Sequence, residues 1–441
     1  MRTTISLKSA LSWSLLLYII LTGLLIWRVP LGAAPDESAH WDYIAYVAEN
    51  HSLPVFKITK APDYGYEFHQ PPLYYVMNAP MWKAFNGSDE ARYAARTFSL
   101  ICGALCIFLL WDALKVLFPS RPEIIILATL FAGLWPLHQA IGASGSNDAL
   151  AGLGSALLLW ILAKAVGDGW QWKHSIWLGV VAGLAILTKS SCLVPAFAAF
   201  GDAVHLLWRG HKSNPDGKST FMAIAPQVGL SLLLTLVIGG WWLFRNQQLY
   251  GDPLAMGVFQ KAFSQSSPGP DIFFAAGVGV LTYLRAMLTI TFTTFWGLFA
   301  GPNTALKVLN PFGSSGATPA ALPAIPLVLI FLIVSIFAIW GIWRKLRGGF
   351  DKSTFVHIAL TWWMIEFALV ALSWVQFNTH FFQAQARYFH PAMLPIVAGI
   401  CYGWVNIWGT KDRKLSFASA VVGVAMIVVT LWNVLGWRSL V

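Results

Sequence analysis

Two adjacent carboxylates, Asp36 and Glu37, stand just beyond the first long apolar stretch of the chain, with His40 one helical turn past Asp36. A carboxylate in such a place can take a proton from a hydroxyl or hold a cation. A structural reading stands beside this one. Asp36 after Pro35 is a good helix N-cap, and Glu37 complements the helix dipole. The run is not the zinc pattern H-E-x-x-H, because Asp replaces its first His, but a divalent metal on Asp36 and His40 stays open. Downstream, Glu67-Phe68-His69-Gln70-Pro71-Pro72 sets His69 and Gln70 ahead of a second apolar helix. That helix is expected near Leu73–Phe85, since proline suits a helix start. For His69, a loop role and a site role are both open. Arg92 and Arg96 close the segment.

The elements that position these residues follow from composition. Of 441 residues, 57% are hydrophobic and only 11% charged, and the mean hydropathy is +0.62. A soluble domain carries about 25% charged residues. A chain this apolar needs lipid as its solvent, and its 23 Trp suit a membrane interface. The fold class is therefore an all-α polytopic membrane protein, read as a single domain over 1–441. The net charge of +10 does not point to nucleic acid, because most basic residues sit in short clusters between apolar runs, as cytoplasmic anchors do. Cys102, Cys106, Cys192 and Cys401 all lie inside apolar runs and read as core residues. The first apolar stretch is long for a signal peptide and is read as a retained span.

Eleven spans are expected: Leu11–Trp27, Thr97–Phe118, Ile124–Ile141, Ala149–Val166, Ser175–Leu187, Cys192–Trp208, Met222–Trp242, Ala321–Trp343, Phe355–Phe377, Pro391–Trp408 and Phe417–Trp437. Arg2 and Lys8 put the N-terminus inside. Alternation then makes every inner connection basic: Arg121, Lys173, Arg209 to Lys218, Arg344 to Lys352, and Lys411 to Lys414. Two outer loops are long, 28–96 and 243–320. The apolar stretch Ile272–Phe299 in the second is read as interfacial or re-entrant, because Arg285 at the centre of a span costs roughly 3 kcal/mol. The fifth span is short, about 20 Å at 1.5 Å per residue, so Lys189 behind it either reaches a cavity below the outer surface or snorkels to the interface.

This orientation leaves polar groups on the outer side: Asn147-Asp148, Lys189, Arg245-Asn246, Arg285 and Gln383 through Tyr388. Lys189, Arg245 and Arg387 lie on the wrong side for anchoring, which suggests service to an anionic ligand. A phosphate at the membrane surface is the natural one.

In these residues the chain resembles the GT-C class of membrane glycosyltransferases, in the branch of the protein O-mannosyltransferases and the lipid A aminoarabinose transferase. The runs that carry the resemblance are Pro35 to His40, His69 to Tyr75, Ser146 to Leu150, Leu187-Thr188-Lys189, Trp241 to Asn246 with Tyr250 to Pro253, Phe295 to Phe299, and Gln385 to Pro391. The resemblance implies a polyprenyl-phosphate sugar donor, an acceptor hydroxyl on a glycan, lipid or protein, and a catalytic carboxylate at Asp36. Chemistry agrees: the incoming hydroxyl needs a base, and the leaving phosphate needs cations. Asp36 is expected to be the base and Glu37 secondary. Lys189, Arg245 and Arg387 are expected to bind the phosphate, with His40, His69, Gln70, Arg92, Asn147, Asp148 and Tyr388 also binding substrate. A single displacement would invert the sugar carbon. The expected setting is a bacterial inner or plasma membrane, with the site on the extracytoplasmic face. No soluble C-terminal domain, such as some members carry, is read in this sequence, so the acceptor stays open. The alternative is a transporter or flippase of lipid-linked saccharide, which calls for mid-span charges and usually a repeat. A lipid-carrier-dependent polymerase or ligase shares the donor but does not need the carboxylate pair.

Overall fold

A computed structural model gives the architecture for residues 5–57, 64–213, 220–263, 269–298, 324–347, 355–408 and 413–436. Among these described residues the regular structure is helical. The chain opens with α1 (Leu7–Arg28), α2 (Glu37–Asn50), α3 (Leu73–Ala84), α4 (Asp89–Leu117), α5 (Pro122–Leu134), α6 (Pro136–Gly142), α7 (Asp148–Asp168), α8 (Trp172–Ile186) and α9 (Leu193–Ser213). It continues with α10 (Thr220–Thr235), α11 (Trp241–Tyr250), α12 (Met256–Phe263), α13 (Pro270–Ala275), α14 (Val280–Phe295), α15 (Ala324–Arg347), α16 (Phe355–Asn378), α17 (Met393–Trp408) and α18 (Arg413–Gly436).

Nine helices of the described residues are long and apolar enough to cross a membrane, or ten if α5 and α6 count as one span. The expected Ile124–Ile141 span is bent by 52° at that break. Pro136 explains it, since proline has no amide to donate and its ring clashes with the preceding turn. The expected fifth span is α8, only 15 residues long. At 1.5 Å per residue that is about 22 Å, short of a hydrocarbon core of about 30 Å. The Leu73 amide donates to the Leu187 carbonyl at 2.8 Å, which ties the end of α8 to the start of α3. The stretch read as interfacial or re-entrant is split into α13 and α14, of 6 and 16 residues. Phe299 lies outside the described residues, as do Arg2, Lys218, Lys352, Lys411 and residues 264–268 and 299–320 of loop 243–320.

The bundle has two chemically different ends. At one, Asp112 on α4 accepts from Lys115 at 2.8 Å and from the Trp160 indole at 2.9 Å, with Lys164 at 3.0 Å. At the other, α2 and α3 pack through aromatic residues, with the Tyr43 and Tyr75 rings stacked 3.7 Å apart. The expected cap at Asp36 is corrected here. Asp36 precedes α2 but makes no side-chain cap bond, and its backbone is left-handed at φ 61°. That conformation is uncommon for a residue with a side chain, and Asp is among those that tolerate it best. The carboxylate it displaces from the helix end has other partners.

Candidate active site

Asp36 sits beside a cavity of about 540 Å³ whose walls come from the first loop, the end of α8, α12, α16 and the turn before α17. One Asp36 oxygen accepts from the Tyr66 hydroxyl at 2.8 Å and the other from the Arg387 guanidinium at 2.5 Å. Arg387 also lies 3.7 Å from Asp148, and Asp148 accepts from Lys189. Four charges from four separate segments thus form one chain, Asp36–Arg387–Asp148–Lys189, of which Asp36, Lys189 and Arg387 line the cavity. The short α8 is what ends early enough to place Lys189 there.

The electrostatics follow from these contacts. Burial works to raise the Asp36 carboxyl, but Arg387, His40 and the bonds from Arg387 and Tyr66 outweigh it, and its pKa lies well below the usual carboxylate range. Burial likewise opposes the Lys189 charge, yet Asp148 prevails and raises its pKa. His40 is lowered by burial against the pull of Glu67 and Asp36. Its Nδ1 lies 2.9 Å from the Tyr75 hydroxyl. Burial pushes His69 down to about 4, against its bond to the Tyr66 carbonyl.

The structure brings His40, His69, Gln70, Lys189, Arg387 and Tyr388 around the cavity with Asp36. Tyr388 donates to Gln383. Asn147 stands one step behind, donating to the Thr188 carbonyl at 3.3 Å. Three expected residues lie elsewhere. Glu37 is fully buried against Arg96, both oxygens accepting from it at 2.7 Å, and also accepts from the Gly32 and Gly145 amides at 3.0 and 2.8 Å. Arg245 stacks over Trp242 at 4.9 Å and donates to the Pro54 carbonyl at 2.7 Å, so it does not join the two cavity cations. Arg92 pairs with Asp89 at 2.6 Å on the surface. The expected Asp36–His40 metal pair gains no third ligand: no group of three or more His, Cys, Asp or Glu among the described residues could hold a metal ion.

Sequence reasoning passed over Glu67. It is 6% exposed, lines the cavity, and its Oε2 has no hydrogen-bond partner among the described residues. Its pKa is raised, mainly by burial and against the pull of His40.

Residues 69–241 match the family model described as dolichyl-phosphate-mannose-protein mannosyltransferase. No curated protein sequence matches the chain. The oligosaccharyltransferase of Archaeoglobus fulgidus, in complex with Zn and sulfate, is similar at a TM-score of 0.56 and 13% identity, over 97% of this chain and 53% of that one. AglB of the same organism, with an inhibitory peptide and a dolichol-phosphate, gives 0.51 and 14% over 97% and 56%. ArnT from Cupriavidus metallidurans, bound to undecaprenyl phosphate, gives 0.51 and 13% over 98% and 74%. The chain thus spans about half the length of the archaeal enzyme it resembles. These likenesses show the fold: the chain has that of the GT-C class of membrane glycosyltransferases.

Proposed function

We propose that this protein moves a sugar from a polyprenyl-phosphate donor to an acceptor hydroxyl at the membrane surface, with inversion. The observation that carries this reading is that Lys189 and Arg387 stand beside Asp36 in a cavity whose wall combines polar side chains with an apolar, aromatic part that includes Phe259, Trp374 and Phe377. That combination suits a phosphate carried on a prenyl chain. ArnT bound to undecaprenyl phosphate and AglB with dolichol-phosphate support the same ligand class here.

The resting site also suggests how donor and catalyst are linked. Both Asp36 oxygens are engaged, and Arg387 is shared between Asp36 and Asp148. A donor phosphate drawing Arg387 toward itself frees one Asp36 oxygen for the sugar, where a carboxylate stabilises the positive charge that develops at the sugar carbon. Lys189 holds the phosphate as it leaves. Glu37 serves by bracing the loop through Arg96. In this reading the site faces outward and the basic connections face the cytoplasm of a bacterial inner membrane. A transporter is disfavoured by the same observation, because the cations stand beside a carboxylate at one end of the bundle rather than along a path through it.

The experiment is mass spectrometry of envelope glycans and lipid-linked intermediates in cells with the gene intact, deleted, or carrying Asp36→Asn. The reading requires loss of one glycan modification and build-up of its lipid-linked precursor in the last two strains. Unchanged glycans and intermediates in the deletion overturn it.

A further inference from the structure

We propose that Glu67 is the general base of this site, taking the proton of the incoming hydroxyl, while Asp36 stays ionised as an electrostatic group. This rests on the glycosyl-transfer reading above and deepens it. Two carboxyls meet one cavity in contrasting states. Asp36 has one oxygen on Tyr66 and the other on Arg387. Glu67 is buried, and its Oε2 has no partner among the described residues. A buried carboxyl oxygen without a donor is destabilising, and a ligand hydroxyl bound in the cavity would supply the missing partner.

The turn that carries Glu67 (Tyr66–His69) is held at both ends. The Tyr66 hydroxyl reaches Asp36, and His69 Nδ1 bonds back to the Tyr66 carbonyl at 2.8 Å. Glu67 is therefore presented to the cavity by a braced segment. The titratable and charged groups around it are Asp36 before α2 and His40 on it, its neighbour Tyr66, Tyr75 on α3, Lys189 after α8, and Arg387 before α17. Burial outweighs the cations and raises Glu67, whereas Arg387 helps to hold Asp36 low. A base works best when its pKa lies near the working pH, and a pair of carboxyls pushed apart in this way divides into two roles.

The step balances with the residues present. The acceptor oxygen bonds to the sugar carbon, and the bond from that carbon to the phosphate oxygen breaks. The electron pair leaves on the polyprenyl phosphate, held by Lys189 and Arg387, and the hydroxyl proton passes to the Glu67 carboxylate.

The test uses the full chain in proteoliposomes with a panel of hexosyl and aminopentosyl polyprenyl phosphates, water serving as the acceptor, and donor cleavage followed from pH 4.5 to 8.5. Wild-type cleavage should fall on the acid side as Glu67 protonates. Glu67→Gln should lower the rate about 100- to 10,000-fold and abolish that acid limb. Glu67→Asp should recover part of the rate with the limb displaced, which a misfolded protein cannot do. The residual activity of Asp36→Asn should keep the limb. An active wild type whose acid limb persists in Glu67→Gln at a rate within tenfold overturns the Glu67 role alone. A wild type that cleaves no donor overturns the glycosyl-transfer reading and the Glu67 role together.

Discussion

Arg387 donates to Asp36 at 2.5 Å across 351 residues of sequence. In the proposed mechanism the guanidinium that would bind the donor phosphate is, at rest, held by Asp36, so phosphate and carboxylate would compete for it. Asp36→Asn removes the charge of the competitor. It should therefore leave polyprenyl-phosphate binding unchanged or tighten it severalfold while turnover falls. Quenching of tryptophan fluorescence by undecaprenyl phosphate reads the binding, with Trp374 in the cavity wall as a reporter. Weaker binding in this variant contradicts the competition.

The cations should separate by position. Arg387→Ala and Lys189→Ala each remove a charge-assisted partner worth about 1.5–3 kcal/mol, so each should weaken undecaprenyl phosphate binding roughly 10- to 150-fold. Arg387→Lys should recover little, because an ammonium cannot reproduce a planar fork. Arg245→Ala should stay within about twofold, since Arg245 is committed to Trp242 and the Pro54 carbonyl. The same fluorescence titration compares all four.

Glu37 and Arg96 are both fully buried and paired at 2.7 Å. Removing one partner of such a pair costs about 3–5 kcal/mol. Arg96→Ala and Glu37→Gln should both lower the thermal midpoint in detergent and the amount of protein in membranes, whereas Asp36→Asn should change neither by a comparable margin. A stable Glu37→Gln protein without activity points instead to a direct part in the chemistry.

His69 sets an acid limit on stability. Its folded pKa is pushed down to about 4 from an ordinary 6.5. Between those values the unfolded chain binds more protons, so stability falls as pH drops through that window and is fully present above it. The thermal midpoint should decline from pH 6.5 to 4, and His69→Gln should flatten the decline. An equal slope in both proteins removes His69 as the cause.

Much of the scaffold could be read from the sequence because lipid imposes long apolar runs, and runs such as those of α1, α7 and α16 leave little choice. Lys189 and Arg387 stood out for a related reason: a basic residue opposite the anchoring side needs a ligand or a partner. What escaped depends on distant contacts. Asp36 and Glu37 are neighbours in sequence, yet Arg387 takes one into the cavity and Arg96 takes the other into the core. Arg245 carried the same wrong-side signal as Lys189, and only packing turns it onto Trp242. Glu67 differs from an ordinary loop acid by burial alone, which no local pattern reveals. The break at Trp135-Pro136 was visible as a proline, but its 52° bend was not.

The central claim is that the Asp36 cavity cleaves a lipid-phosphate sugar. The most direct measurement is release of polyprenyl phosphate from the donor panel by the purified protein at pH 7, with wild type and Asp36→Asn at matched protein and matched donor occupancy. The account predicts steady release by wild type and a loss of about 100-fold or more in Asp36→Asn, in line with the removal of a group that stabilises transition-state charge. Equal release by the two proteins, or none by wild type from any donor, would contradict it.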